Sequence, residues 1–123
     1  MGTFENLATL HVLFVDDDHL LRRAMAWYFE KKVSAFVALE SAEEALGRLK
    51  TEIFDVVICD YSLPGMDGLR FFEMTEGSGA GFTRILITAF STKTLEKETE
   101  KRKIILVRKP FDAKEIERVL AGA

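Results

Sequence analysis

The sequence is poor in cysteine and proline and has no long hydrophobic run. Its 123 residues include one cysteine, Cys59, and two prolines. A single thiol excludes an intrachain disulfide and a cysteine-based metal site, which fits a reducing compartment. The longest apolar run, Ala24–Phe29, is far shorter than the roughly 18–20 residues of a membrane-spanning helix. The start of the chain lacks the basic and then apolar order of a secretory signal. We therefore expect a cytoplasmic protein with no membrane partner.

A strong charge of one sign is also missing. Seventeen basic and twenty acidic residues give a net charge of −3, which does not favour direct binding of nucleic acid. With 48% hydrophobic and 30% charged residues, the composition excludes a disordered chain. The length is that of one domain, so we expect residues 1–123 to form a single unit.

Five short apolar runs recur along the chain, and their first residues are 19 to 31 positions apart. They are continuous rather than alternating, which is typical of parallel strands that are covered on both faces. The predicted strands are Leu10–Val15, Ala35–Leu39, Phe54–Cys59, Ile85–Thr88 and Ile104–Val107.

The segments between these runs carry helix signals. Ser41 with Glu44, and Asp112 with Glu115, have the spacing of capping boxes that begin helices. Further helices are predicted from the apolar spacing at Leu20–Tyr28, at Leu69–Met74 and, almost wholly exposed, at Thr92–Arg102. This alternation predicts a doubly wound α/β protein, (βα)5, with a five-stranded parallel sheet between two layers of helices.

In such a sheet, ligands bind beyond the carboxyl ends of the strands. Polar residues that could bind a ligand or react stand at those ends. They are Asp16, Asp17 and Asp18 after the first strand, Asp60 after the third, Thr88 at the fourth, and Lys109 after the fifth. Residues more than ninety positions apart are thus predicted to meet at one edge.

Several ionised carboxylates at this edge need a compensating cation, since each pair at about 4 Å repels by about 4 kcal/mol at an effective dielectric near 20. We assign Asp18 to a helix cap and leave Asp16, Asp17 and Asp60 for a metal. Oxygen ligands without His or Cys favour Mg²⁺ over Zn²⁺, with Mn²⁺ as an acceptable substitute.

Asp60 can then attack a phosphorus centre and form an aspartyl phosphate. The metal and the Lys109 ammonium would neutralise the equatorial oxygens, and Thr88 would donate its hydroxyl to the bound phosphoryl group.

Four segments together resemble the receiver domain of two-component response regulators. They are Val12–Asp18 (VLFVDDD), Asp55–Gly68 (DVVICDYSLPGMDG), Thr88-Ala89 and Lys109-Pro110-Phe111. The resemblance covers nearly the whole chain and implies a flavodoxin-like fold with strand order 2-1-3-4-5. It also implies a receiver domain over 1–123, with no output domain in this chain.

The resemblance makes Asp60 the phosphoacceptor from the phosphohistidine of a sensor histidine kinase or phosphotransfer protein. It implies that Asp17 binds Mg²⁺ directly, that Asp16 does so mainly through water, and that the Ser62 backbone carbonyl is a further ligand. Lys109 would pair with the phosphoryl group.

The resemblance further makes Thr88 the switch hydroxyl and implies a cis peptide bond before Pro110. Two residues depart from the usual receiver pattern. Leu106 stands where receivers commonly carry Tyr or Phe, so the usual aromatic gating is missing. Phe90 is bulky for a position beside the phosphoryl group, and we hypothesise that it restricts attacking water.

The leading interpretation is a phosphorelay switch that phosphorylates itself from phosphodonors and slowly dephosphorylates, without turning over an external substrate. A Mg²⁺ phosphohydrolase with an aspartyl nucleophile is a weaker alternative, because Ser62 occupies the place of its usual second Asp. A flavin or nucleotide carrier is disfavoured by Asp16–Asp18, whose charges repel phosphate. Leu106 keeps open a fourth interpretation, a phosphorylation-independent interaction module.

The segment Thr92–Lys109 carries seven basic and three acidic residues, a local charge of 7 − 3 = +4. In receivers the face of the fourth helix, fifth strand and fifth helix is where a second receiver or an effector docks. We therefore hypothesise that this basic segment contacts an acidic partner surface, whereas a solvated helix face is the commoner meaning of such a charge run.

Overall fold

A computed structural model describes residues 6–77 and 81–122 of the chain. Five strands alternate with five helices after a 3-10 turn at Leu7–Thr9. The strands are β1 His11–Val15, β2 Ala35–Leu39, β3 Val56–Asp60, β4 Thr83–Thr88 and β5 Ile105–Arg108. The helices are α1 His19–Phe29, α2 Ala42–Leu49, α3 Gly68–Thr75, α4 Lys93–Lys101 and α5 Ala113–Ala121.

The strands form one parallel sheet in the order β2-β1-β3-β4-β5. This confirms the predicted doubly wound (βα)5 architecture and its 2-1-3-4-5 order. The register brings Val15 of β1 level with Cys59 of β3. It likewise brings Asp60 level with Ile87 of β4. The carboxyl ends of the central strands therefore meet at one edge.

The two faces of the sheet bury two separate apolar clusters. Leu13 and Val15 point to the side covered by α2, α3 and α4, and Val12 and Phe14 point to the side covered by α1 and α5. Neighbouring residues of a strand thus face different helices, and both sets are buried. This explains why the strand sequences are continuously apolar.

Side-chain caps begin the helices where the sequence predicts them. The Asp18 carboxylate accepts from the amides of Leu20 and Leu21 at the start of α1. Ser41 accepts from the Glu44 amide at α2, and Asp112 accepts from the Glu115 amide at α5. These bonds satisfy amides that have no partner inside the helix.

Strand β4 begins two residues earlier than the apolar pattern predicts. Arg84 lies in this extension, where its guanidinium packs over the Phe82 ring at 4.4 Å and its Nη2 donates to the Thr75 hydroxyl at 3.2 Å. A charged residue can belong to the strand here because these contacts cover its side chain.

Helix α4 is as exposed as its sequence predicts, since it buries only Leu95 and Thr99. Helix α1 also exposes two large apolar side chains, Leu20 at 75% and Trp27 at 78%. No helix in the described part of the chain has the length and hydrophobicity that a bilayer crossing requires.

Candidate functional site

Backbone hydrogen bonds continue the sheet past the strand ends and position the residues that follow. The Asp16 amide donates to the Leu39 carbonyl at 3.1 Å, which extends the pairing of β1 with β2. The Lys109 amide donates to the Thr88 carbonyl at 2.8 Å, which extends the pairing of β5 with β4. The backbones of Asp16 and Lys109 are therefore held at the same edge of the sheet.

Three acidic residues converge at this edge. Asp16, Asp17 and Asp60 each offer a carboxylate oxygen, and these oxygens lie within 4.8 Å of one another. Asp16 and Asp60 are buried, whereas Asp17 is exposed. Asp18 caps α1 instead, as its sequence position predicts. Among the three acids, solvent therefore reaches the cluster mainly at Asp17.

The donor set fits a hard divalent cation. All the side-chain ligands are carboxylate oxygens, which Mg²⁺ and Mn²⁺ prefer. The buried Oδ2 of Asp16 has no well-aligned hydrogen-bond donor among the described residues. This fully buried oxygen has an ion pair with the Lys109 ammonium at 3.3 Å but two further acids beside it, so a cation would stabilise the cluster.

Lys109 supplies the positive charge that the cluster contains. Its Nζ lies 3.3 Å from Oδ2 of Asp60 and 3.3 Å from Oδ2 of Asp16. Burial lowers the pKa of the Lys109 ammonium, but the two carboxylates outweigh this effect, so its pKa is raised above the usual value. Lys109 is therefore held in its charged form between both acids.

Burial raises the pKa of Asp60 above its usual value, and the neighbouring Asp16 charge raises it further. The Lys109 ammonium and a backbone hydrogen bond from Ser62 oppose this rise. The surroundings of Asp60 therefore disfavour its ionised form, and a bound cation would stabilise that form.

Thr88 is buried at the end of β4, but its hydroxyl is occupied locally. It donates to the carbonyl of Phe90 and accepts from the Phe90 amide at 3.1 Å. The Phe90 ring is 81% exposed. The structure thus places Thr88 at the predicted edge, with its hydroxyl bonded to the β4–α4 loop.

Sequence reasoning misses the close approach of α3 to this site. A Cβ on Gly68 would lie 2.4 Å from the Asp60 carbonyl oxygen and 2.7 Å from Cδ1 of Leu86. Only glycine leaves space for that contact. The Asp67-Gly68 pair predicts a helix start in the sequence, and nothing in it indicates which residues lie opposite Gly68.

Sequence reasoning also misses Arg22. This residue is half-buried on α1 and its Nη1 donates to the Asp16 backbone carbonyl at 2.8 Å. Its spacing from the acidic run, about one helical turn beyond the cap, is the only signal that could have drawn attention to it.

Known proteins share both the sequence pattern and this architecture. The sequence model of the response regulator receiver domain family matches residues 12–121. The chain belongs to this family. The receiver is 35% identical over 105 residues to the response regulator protein FleR of Pseudomonas aeruginosa, a match that covers 84% of the receiver and 22% of FleR.

It is 33% identical over 84 residues to the transcriptional regulatory protein FlgR of Helicobacter pylori, covering 68% of the receiver and 21% of FlgR. The receiver thus spans about a fifth of the length of these curated relatives. The fold is also that of the chemotaxis response regulator CheY4 of Vibrio cholerae, with a TM-score of 0.80 at 23% identity over 91% of the receiver and 96% of that chain.

The peptide bond between Lys109 and Pro110 is cis, as the resemblance implies. Leu106, at the usual aromatic position, is half-buried and packs against the cluster that contains Leu95 and Ile104. At the position where receivers commonly carry an aromatic ring, this receiver therefore has an aliphatic side chain that packs against the cluster containing Leu95 of α4.

Not every basic side chain of the segment Thr92–Lys109 is available to a partner, because two of them are bound within the receiver. Arg102 is bound by three glutamates: its Nη1 lies 2.8 Å from Glu76, and its Nη2 lies 3.0 Å from Glu73 and 3.3 Å from Glu98. Lys109 belongs to the acidic site. The exposed basic residues of the segment are Lys93, Lys97, Lys101, Lys103 and Arg108.

Proposed function

We propose that this receiver is a phosphoacceptor switch, in which Asp60 accepts a phosphoryl group from a phosphohistidine. The observation that carries the proposal is the convergence of Lys109 with Asp16 and Asp60, at 3.3 Å from each carboxylate. The donor would be a cytoplasmic sensor histidine kinase or phosphotransfer protein, and we place the receiver in the same compartment.

In the proposed reaction, a carboxylate oxygen of Asp60 forms a bond to phosphorus. The bond from phosphorus to the donor's imidazole nitrogen breaks, and that nitrogen keeps the electron pair. Lys109 pairs with the phosphoryl oxygens after transfer, because its ammonium already faces Asp60. Thr88 exchanges its bonds to Phe90 for one to the phosphoryl group.

Mg²⁺, when bound, would neutralise charge on the oxygens of the phosphoryl group. Asp17 and Asp60 would hold it directly, the backbone carbonyl of Ser62 would complete the protein's share of ligands, and Asp16 would act mainly through water. The 4.8 Å grouping of the three carboxylates supports this assignment, and Mn²⁺ is an acceptable substitute.

Intact mass spectrometry tests the proposal. Incubation with Mg²⁺ and acetyl phosphate should add about 80 Da, the mass of one phosphoryl group on an acyl phosphate. Asp60→Asn should abolish the added mass, and a chelator should suppress it. Retention of the adduct in Asp60→Asn would move phosphorylation to another residue and contradict the assignment.

The same reaction separates the proposed switch from a phosphohydrolase. We propose that the receiver only phosphorylates itself and slowly loses the group, so it should release phosphate from acetyl phosphate no faster than the Asp60 adduct decays, and should release none from ordinary phosphomonoesters. Sustained release from many phosphomonoesters would favour the hydrolase. A phosphorylation-independent interaction module is favoured by Leu106 alone, and it predicts no adduct.

We further propose that residues 1–123 act as one receiver domain without an output domain among them, and that the signal leaves through surface contacts. The face formed by α4, β5 and α5 is the proposed docking site for an effector or a second receiver. Its exposed cations at Lys97, Lys101 and Arg108 suit an acidic partner surface. Such association should weaken as ionic strength rises.

A further inference from the structure

Each polar atom of Asp16 faces a specific partner. Its amide donates to the Leu39 carbonyl at 3.1 Å, and its Oδ1 accepts from the Asp18 amide at 2.9 Å. Its Oδ2 faces Lys109 at 3.3 Å. Its backbone carbonyl accepts from Nη1 of Arg22 at 2.8 Å. The Leu39 bond belongs to the sheet, the Asp18 bond to the start of α1, and the Lys109 contact to the proposed phosphoryl site. The bond from Arg22 belongs to none of these.

The bonded carbonyl lies between two of the proposed metal ligands. The carbonyl of Asp16 and the amide of Asp17 belong to one planar peptide unit. A donor that fixes this carbonyl therefore fixes the peptide plane from which the Asp17 side chain departs. Asp17 is exposed, so neighbouring side chains restrict its position less than they restrict that of buried Asp16.

Arg22 is itself held in place for this contact. It lies in the first turns of α1, where its amide donates to the Asp18 carbonyl at 3.0 Å. Its Nη2 lies 3.4 Å from Nδ1 of His19, so the guanidinium is fixed at two points. A planar guanidinium with two engaged nitrogens orients an acceptor better than a single ammonium does.

We infer that Arg22 is a positioning residue for the metal site, which orients the Asp16–Asp17 peptide so that both carboxylates are presented to the cation. The inference rests on the proposed function. It is not an effect of charge, because a positive group beside the site would by itself weaken cation binding. The two effects of Arg22 therefore have opposite signs, and its removal tells them apart.

Isothermal titration of Mg²⁺ into the metal-free receiver tests the inference. Arg22→Met keeps the aliphatic stem and removes the donor, and we expect it to weaken Mg²⁺ binding about tenfold, as loss of an outer-shell partner typically does. Arg22→Lys keeps the charge and one donor group and should fall between Arg22→Met and the parent receiver.

Arg23→Met is the matched control. Arg23 is the next residue of α1, is exposed, and has neither an ion pair nor a side-chain hydrogen bond within residues 6–77 and 81–122. The Arg23→Met substitution removes the same charge from the same helix as Arg22→Met does. The Mg²⁺ affinity of this control should stay within about twofold of the parent. Equal or tighter Mg²⁺ binding by Arg22→Met than by Arg23→Met would overturn the inference.

Phosphorylation kinetics supply a second measurement. With acetyl phosphate as donor, Arg22→Met should require about tenfold more Mg²⁺ for half-maximal rate. At saturating Mg²⁺ it should approach the parent rate, since Asp60 and Lys109 are untouched. A lowered maximal rate with unchanged Mg²⁺ dependence would contradict a positioning role.

Circular dichroism melts in EDTA identify any variant that fails to fold. If Arg22→Met is unfolded, Arg22→Lys decides: an Mg²⁺ affinity equal to that of the parent overturns the inference, and a weaker one supports it. A parent receiver that binds no Mg²⁺ would overturn the proposed metal site and this inference together. A parent that binds Mg²⁺ while Arg22→Met binds equally would overturn this inference alone.

Discussion

The Thr88 hydroxyl and the Phe90 backbone form a closed pair of hydrogen bonds, in which the hydroxyl donates to the Phe90 carbonyl and accepts from the Phe90 amide. Both bonds use backbone atoms of Phe90, so the phenyl ring takes no part in them. The ring, which is 81% exposed, can therefore be removed without breaking the contact that holds Thr88.

Phe90→Ala should shorten the lifetime of the Asp60 phosphate several-fold. The physical reason is access, because a smaller side chain beside the phosphoryl group would admit attacking water more readily. The measurement is the decay of the phosphoryl adduct by intact mass after removal of the donor. Met74→Ala, which truncates an exposed apolar residue on α3, is the control. An unchanged decay in Phe90→Ala would refute the access argument.

Asp60→Asn should raise the melting temperature of the metal-free receiver by a few degrees near neutral pH. The pKa of Asp60 is raised by burial and by Asp16, so the folded state holds its proton more tightly than the unfolded chain does. A raised carboxyl pKa contributes stability below the unfolded pKa, and that stability is lost as pH rises through the folded pKa.

The advantage of Asp60→Asn should therefore shrink as pH falls between the raised pKa and the ordinary aspartate pKa. Circular dichroism melts in EDTA across this range measure it. Glu40→Gln removes one charge from an exposed position and should show little difference at any pH in this range. A stabilisation by Asp60→Asn that persists undiminished in acid would have another cause.

Gly68→Ala should destabilise the fold by about 1–3 kcal/mol, the usual cost of overpacking a well-packed region. Its new methyl group would meet the Asp60 carbonyl oxygen at 2.4 Å, so α3 or β3 would have to shift. Urea denaturation measures the change. Phosphorylation should slow as well, because the shift is centred on the phosphoacceptor's own backbone.

Gly47→Ala is the matched substitution, since a Cβ there meets nothing within 4 Å and the residue lies inside α2. It should stabilise the receiver by about 0.5–1 kcal/mol through helix propensity. If both glycine substitutions shifted stability in the same direction, the close approach of α3 to Asp60 would not be the cause.

Arg102→Met should loosen α4, because the half-buried Arg102 side chain binds three glutamates. The α4 helix buries only Leu95 and Thr99, and Arg102 ties its end to Glu73 and Glu76 near the end of α3. Amide hydrogen exchange in Lys93–Lys101 should speed up, and high salt should produce part of the same effect in the parent receiver.

Lys101→Met is the control for the Arg102 variant. Lys101 is 68% exposed on its side chain and makes one long ion pair with Glu98, at 3.7 Å. Such a pair contributes little, so exchange in α4 should hardly change. Equal exchange rates in the two variants would mean that the contacts from α4 to α3 do not hold the helix.

Local patterns predict the fold and the convergence of the site, because apolar runs and caps depend on neighbours in sequence. Asp16, Asp60 and Lys109 could be placed at one edge from strand ends alone, and they meet there. Contacts between distant side chains carry no such signal. Arg102 counts as a free charge in the sequence, yet glutamates from another helix bind it.

The same limit applies to Gly68. Glycine is needed there because a Cβ at this position would lie 2.4 Å from the Asp60 carbonyl oxygen. A glycine at a helix start is common and does not reveal what lies opposite. Thr88 was predicted at the edge, but the local bonds of its hydroxyl depend on the loop conformation beyond β4.

The exposed indole of Trp27 gives the receiver a selective optical reporter. It is the one tryptophan of the sequence and stands 78% exposed on α1. Because water already surrounds it, its emission should be red-shifted in the folded state and change little on unfolding. A protein that covers α1 would shift that emission to the blue. Intrinsic fluorescence will therefore report docking at this helix and respond little to changes in the packing of the core.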